Sequence, residues 1–288
     1  MSKSFLIIVM WLINASLFAQ EPAAFKIYNA KGKKTSYKKL LKKATKADVV
    51  FFGEEHNNTI AHWLELKLTE DLFRLKNGKI ILGAEMFERD NQDALTRYVK
   101  GEIDEKQLDS LARLWPNFTK DYKPLVDFAR EHKLPFIATN IPRRYASMVY
   151  KKGFESLDSL SDREKSWIAP LPIAYDSTLS QYVRMRDMMR KHGHDNPNLP
   201  MAQAVKDATM AYSIARNLKD GYTFIHYNGS YHSAFDQGII WYLRRLKPDI
   251  KILTVEVISQ KQTDHLEPEY KGTADFIIVT DESFPKSY

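Results

Sequence analysis

Six short apolar runs punctuate this sequence and limit what it can fold into: Val49–Phe52, Ile80–Ala84, Pro135–Thr139, Thr223–Tyr227, Ile252–Val257 and Phe276–Val279. Each has the length of one strand and too little alternation for a strand with a wet face, which is the pattern of strands buried on both sides. Between them lie stretches with helical spacing. Thr59–Leu75 sets Ile60, Trp63, Leu64, Leu68 and Leu72 on one stripe, and Phe235–Leu246 precedes the fifth run. Strand alternating with helix predicts an α/β fold, a mostly parallel sheet flanked by helices on both faces. A chain of 288 residues, 44% hydrophobic, buries such a core without covalent staples, and it contains no cysteine.

Residues 145–199 break the rhythm. They read as helices around Ser161–Ile168 and Leu179–Lys191, closed by the turn-rich His192–Pro200, and are expected to form a helical cap inserted into the core. The division is then a first core part over 20–144, with a helical excursion over Gln92–Arg113 that joins the cap, the cap over 145–199, and a second core part over 200–288. Residues 1–19 have the layout of a signal peptide: Lys3, an apolar stretch Phe5–Ile13, then small residues to Ala19, shorter than a bilayer span. The expectation is a soluble exported protein, periplasmic or secreted. The absence of cysteine removes disulfides, thiolate metal sites, thiol nucleophiles and an acylated lipoprotein anchor together.

The formal charge of +7 suits an anionic ligand. Yet the lysine pairs at 33–34, 38–39 and 42–43 crowd into one stretch that reads as a solvated helix face, and nucleic acid is not an expected partner. No G-x-S-x-G elbow, P-loop or G-x-G-x-x-G occurs.

Ligands of open parallel sheets bind outside the carboxyl ends of the strands, so the polar residues that follow each run matter most. The first run is followed by Gly53-Glu54-Glu55-His56 and the fourth by Asn228-Gly229-Ser230-Tyr231-His232. These are two matched G-x-x-H turns. Glycine suits a strand exit that needs a positive φ or a close backbone approach. The second run is followed by Glu85, a charge costly to bury alone, and then by Glu88 and Arg89. If both turns serve one site, His56, His232 and Glu85 form the donor set of a divalent transition metal, with Glu55 as a general base for hydrolysis. The plainer alternative pairs Glu85 with Arg89 or Arg143 and leaves each histidine as a hydrogen-bonding residue. Arg143 and Arg144 follow Pro142 at a helix start, where arginine suits a bidentate grip on a carboxylate or phosphate. His192 and His194 are expected in solvent, and His62, His132, His226 and His265 in structural roles.

Taken in order, FFGEEHNN from 51, GAEMFERDNQ from 83, ATNIPR from 138, MAQAVKDATMA from 201 and NGSYH from 228 resemble the ChaN family of haem-binding uptake proteins. That family belongs to a wider group with TIKI, TraB and erythromycin-esterase-like proteins. The resemblance covers residues 40–260 and implies haem binding in iron acquisition, a face-to-face haem pair at a homodimer interface, and an outer-membrane uptake partner. It also implies an iron-holding tyrosine, for which Tyr145, Tyr150, Tyr175 and Tyr182 are the candidates in or beside the cap, with Arg143 and Arg144 near the propionates. The kinship to TIKI-like members implies instead a metal-dependent hydrolase of amide or ester bonds at His56, Glu85 and His232. A third reading is a binding scaffold without catalysis. The lack of a cysteine to acylate departs from lipoprotein members of the family.

Overall fold

A computed structural model describes residues 23–193 and 195–288. The signal-peptide expectation and His194 lie outside the described residues. Seven strands form one sheet: β1 (Phe25–Asn29), β2 (Val49–Glu54), β3 (Ile80–Glu88), β4 (Phe136–Asn140), β5 (Thr223–Gly229), β6 (Ile252–Gln260) and β7 (Phe276–Asp281). Their order is β1-β7-β6-β2-β5-β3-β4. All pairs are parallel except β1 with β7. The helices are α1 (Tyr37–Ala44), α2 (Thr59–Leu75), α3 (Gln92–Val99), α4 (Glu105–Leu111), α5 (Lys123–His132), α6 (Arg143–Lys152), α7 (Asp162–Lys165), α8 (Ser180–Lys191), α9 (Leu199–Asn217) and α10 (Ile239–Leu246). Among the described residues no helix is long and apolar enough to cross a membrane.

The pleat sorts the strand side chains into two cores. Val50, Phe52, Leu82, Ala84, Ile225 and Tyr227 face one side and pack with Leu64, Leu68, Leu95, Leu108 and Val126 from α2 to α5. Val49, Phe51, Ile81 and Phe224 face the other and pack with Val149 of α6, Val205 and Met210 of α9, and Leu243 of α10. Successive residues of one strand therefore serve opposite layers, which is why the runs carry no polar alternation. α9 sits deep against α6, α10 and β4, and its small residues Ala202, Ala204, Ala208 and Ala211 permit the close approach.

Each of the six runs lies in a strand of the sheet, and the expected α/β architecture is present. The edge strand β1 was not foreseen: its five residues pair antiparallel with β7 and are only partly buried, so no fully apolar run marks it. The helix expected over Phe235–Leu246 starts only at Ile239, because Phe235 and Asp236 both stand at φ 58 and Gly238 at φ 55. Left-handed residues of this kind cannot join a right-handed helix. The expected helical excursion Gln92–Arg113 divides into α3 and α4 at Gly101, whose φ is 76. The helix expected around Ser161–Ile168 is a single turn, Asp162–Lys165, started by a Ser161 capping box. The lysines at 38, 39, 42 and 43 line the exposed face of α1.

Gly83 of β3 marks a close approach to side chains of the two strands beside it, β5 and β4. A Cβ there would lie 2.6 Å from Cζ of the buried Phe224 ring and 3.1 Å from Thr139. Gly83→Ala is expected to destabilise the fold by about 1–3 kcal/mol through overpacking, read as a lower urea midpoint; an unchanged midpoint would show that the ring moves freely.

Candidate functional site

The two G-x-x-H turns leave the sheet side by side. β2 and β5 are neighbours in register, with Gly53 opposite Asn228 and Glu54 opposite Gly229. β3 flanks β5 on the other side, with Ala84 opposite Tyr227, so Glu85 emerges next to Gly229. The glycines are required by approach and not by dihedral angle: Gly229 has φ −58, and a Cβ on it would meet His56 Nε2 at 2.8 Å. A Cβ on Gly53 would stand 3.3 Å from the Ser230 backbone.

Glu85 is buried, and three contacts define its place. The Gly229 N–H donates to Oε2 at 2.8 Å, His232 Nε2 lies 3.0 Å from Oε1, and Asn140 of β4 donates to the Glu85 carbonyl at 3.0 Å. The other ring nitrogen of His232 faces Asp207 Oδ1 of α9 at 2.5 Å, and Tyr182 of α8 donates to Asp207 Oδ2 at 2.8 Å. Burial alone would lower the pKa of His232, but the Glu85 and Asp207 carboxylates outweigh it and hold the ring up at about 9. Burial likewise pushes Glu85 upward, and His232 and His56 pull it down to about 2. Burial pushes Asp207 upward as well, against the pull of His232, so the ring lies between two buried acidic groups in a pairing that offsets part of their desolvation.

His56 is fixed from below. Its Nδ1 lies 2.8 Å from Glu54 Oε1, which also accepts from Tyr122 at 2.7 Å. Tyr122 and Asp121 come from a π-helical turn, Phe118–Tyr122, just before α5. Trp115 meets the His56 ring edge-on at 4.9 Å. Beyond Glu54 stand His62 and Glu65 of α2, with His62 Nδ1 3.1 Å from Glu54 Oε2 and 3.2 Å from Glu65 Oε2. Although burial opposes it, these carboxylates raise the pKa of His62 to about 11.

Above the turns opens a cavity of about 740 Å³. Its floor includes Glu54, His56, Gly229 and His232, one wall includes Glu256 and Ile258 of β6, and α8 contributes Arg184, Met185 and Met188. Tyr231, Phe235 and Tyr270 line it too. Tyr231 and Met188 are 49% and 42% exposed. Arg184 stacks over Phe235 at 4.9 Å.

The structure thus brings His56, Glu85 and His232 together, with Gly53 and Gly229 as the close-packed turns. Glu55 lines the cavity, but its carboxylate is held by β6: it accepts from Ser259 through backbone N–H at 3.2 Å and hydroxyl at 2.5 Å. Its neighbour Glu54 is the inward carboxylate, as alternation along a strand dictates. The alternative partners of Glu85 lie apart. Arg89 donates to Ser213 and Ser166, Arg144 to Asp90 and Tyr145, and Arg143 is exposed at the start of α6. Tyr145 is buried and donates to Glu164, Tyr182 is buried on Asp207, Tyr175 is half-buried and stacks on Tyr182 at 5.9 Å, and Tyr150 is exposed; none of the four lines the cavity.

Glu54, His62, Glu65, Gln203 and Asp207 were not singled out as site residues. Two signals were available. Gln203 and Asp207 are one helical turn apart in a stretch otherwise rich in Ala, Val and Met, and His62 and Glu65 stand three apart on α2. Polar pairs on the inner face of a helix need partners, and here the partners are strand-end residues.

Three comparisons bear on the chain. The family described as haem-binding uptake, Tiki superfamily, ChaN matches residues 40–243. ChaN of Campylobacter jejuni, described for its cofacial haem binding, has the same fold: TM-score 0.67 at 19% identity, covering 89% of this chain and 97% of that one. A Bacillus cereus protein gives TM-score 0.49 at 13% identity over 85% of this chain and 90% of that one. An erythromycin esterase gives 0.47 at 10% over 90% and 83%. No curated protein matches.

Glu256 supplies a pH test of this geometry. One of its oxygens is buried without a partner, and burial raises its pKa from 4.5 to about 7. The folded protein then holds a proton that the unfolded chain has released between these values, so stability falls as pH rises across that interval. Glu256→Gln mimics the neutral acid. It should match wild type near pH 4 and exceed it at pH 8 by on the order of 1–3 kcal/mol in urea melts; equal stability at both pH values would contradict the burial argument.

Proposed function

The chain belongs to the haem-binding uptake family of the Tiki superfamily, ChaN, and on that footing we propose that it is an exported protein that takes up haem in the cavity at the ends of β2, β5 and β6. The observation that carries this reading is the cavity itself. Its volume of about 740 Å³ falls in the range of sites for ligands of this size, and its lining combines apolar and aromatic surface with a few polar groups. Met185, Met188, Phe235 and Ile258 offer the porphyrin faces a dry surface, and Arg184 offers a propionate a cation.

Tyr231 is the proposed iron ligand. It belongs to the second G-x-x-H turn, lines the cavity and is half exposed, whereas the hydroxyls of Tyr145 and Tyr182 already face carboxylates. Tyr150 and Tyr175 are the next candidates, and Arg143 the next cation. A tyrosinate supplies a hard anionic donor suited to ferric iron. Residues 145–199 are read as the cap, with α8 as its working part, and the role as haem or iron acquisition, with an outer-membrane partner to hand over the cargo. Exposure of Tyr231 and Met188 at the cavity mouth fits a second copy facing the first.

Metal-dependent hydrolysis at His56, Glu85 and His232 has less support. Both ring nitrogens of His232 face carboxylates, and Glu55, the expected base, is bonded to Ser259. His232 in this arrangement is a buried cation beneath the ligand, suited to attracting an anionic one.

Titration of the purified protein with haemin is expected to give a saturable Soret shift, with a ferric tyrosinate charge-transfer band. Tyr231→Phe should remove that band and weaken binding about tenfold or more, equivalent to about 1.4 kcal/mol. Tyr145→Phe should leave both unchanged. No saturable shift, or a band that survives in Tyr231→Phe, would overturn the assignment.

A further inference from the structure

Beneath the haem cavity lies a second cluster that haem binding does not use. Glu54, His62 and Glu65 each present one donor atom, and these atoms lie within 4.8 Å of one another; all three residues are buried. They come from the end of β2 and the first turns of α2.

Three observations set this cluster apart from an ordinary buried ion pair. The first is spacing: His62 Nδ1 stands 3.1 Å from Glu54 Oε2 and 3.2 Å from Glu65 Oε2. Ligands about 2.1 Å from a common divalent metal lie about 3.0–3.4 Å from one another in octahedral or tetrahedral geometry. The second is the opposite edge of the imidazole. Nε2 lies 3.1 Å from the His56 carbonyl, which is the outer hydrogen bond that fixes a metal-ligating histidine with Nδ1 as its donor. The third is unmet demand. Glu65 is fully buried and its Oε1 has no hydrogen-bond partner, while Glu54 Oε2 has the His62 ring beside it. Asp121 Oδ2 adds another buried carboxylate 3.6 Å from His62 Nε2, so three carboxylates surround this imidazole.

We propose that Glu54, His62 and Glu65 bind a divalent transition-metal ion, held through Glu54 Oε2, His62 Nδ1 and a Glu65 carboxylate oxygen, in a site separate from the cavity above. The mixture of one imidazole and two carboxylates suits zinc, manganese, cobalt or ferrous iron. Glu54 links the two levels, because its other oxygen receives Tyr122 and faces His56 on the cavity floor. An ion below would therefore hold the Glu54 carboxylate, and through it the His56 ring, in one orientation.

The test uses cobalt(II), whose visible d–d bands report its coordination, on haem-free protein stripped with chelator and freed of it by gel filtration. Wild type should bind one equivalent and gain thermal stability on adding it. Glu65→Gln preserves shape and removes the charge; it should lose more than about tenfold in affinity, the range lost even when only an outer partner of a metal ligand is removed. His232→Ala, at the cavity level, should still bind the ion. Circular dichroism of each variant confirms folding. The proposal is overturned if wild type binds no stoichiometric cobalt, if folded Glu65→Gln binds it as tightly, or if His232→Ala abolishes binding while Glu65→Gln retains it.

Discussion

A buried carboxylate, Glu85, is the constraint on which this end of the molecule depends. It stands where β3 leaves its hydrophobic layer, far from solvent, and its charge is tolerable only because Gly229 N–H and His232 meet it at 2.8 and 3.0 Å. Those contacts exist only if β5 lies beside β3 and its turn carries no side chain at 229, since a Cβ there would strike the His56 ring. One electrostatic demand thus fixes a glycine, a histidine and the register between strands. His232 in turn needs Asp207, which ties α9 to the strand ends, and Asp207 needs Tyr182, which ties α8 above them.

The result is a tiered arrangement. At the bottom α2 brings His62 and Glu65 to Glu54; in the middle His56 and His232 reach the cavity floor, with Glu85 buried against His232; at the top α8 and the residues after β5 enclose the cavity. The two lower tiers are held by charged hydrogen bonds among buried groups, where such bonds are stronger and where loss of one partner is most costly. Met185, Met188, Phe235 and Tyr231 give the top an apolar and aromatic lining.

The sheet was readable because strands buried on both faces leave an uninterrupted apolar signature, and all six such runs lie in strands. β1 escaped because a half-wet, antiparallel edge strand has no such signature. The site was readable as far as strand ends dictate it: His56 and His232 follow β2 and β5, Glu85 stands near the end of β3, and the three strands are neighbours. Their helical partners were not, because Asp207, Gln203 and Glu65 acquire meaning only when long-range packing sets α9 and α2 against those ends. The choice between Glu54 and Glu55 depended on which face of β2 turns inward, a one-residue question that a G-x-x-H pattern does not answer. The cavity-lining tyrosine was not legible for a related reason. Tyr231 stands between Gly229 and His232 in a turn, and only the folded chain shows that it is half exposed and lines the cavity.

Haem bound in the proposed cavity lies above the paired turns and beneath α8. A crystal structure of the protein grown with haemin tests this most directly. Iron density is expected within bonding distance of the Tyr231 hydroxyl, with the porphyrin against Met185, Met188 and Phe235. Haem found elsewhere, bonded to Tyr150 or Tyr175 and leaving this cavity to solvent, would contradict it.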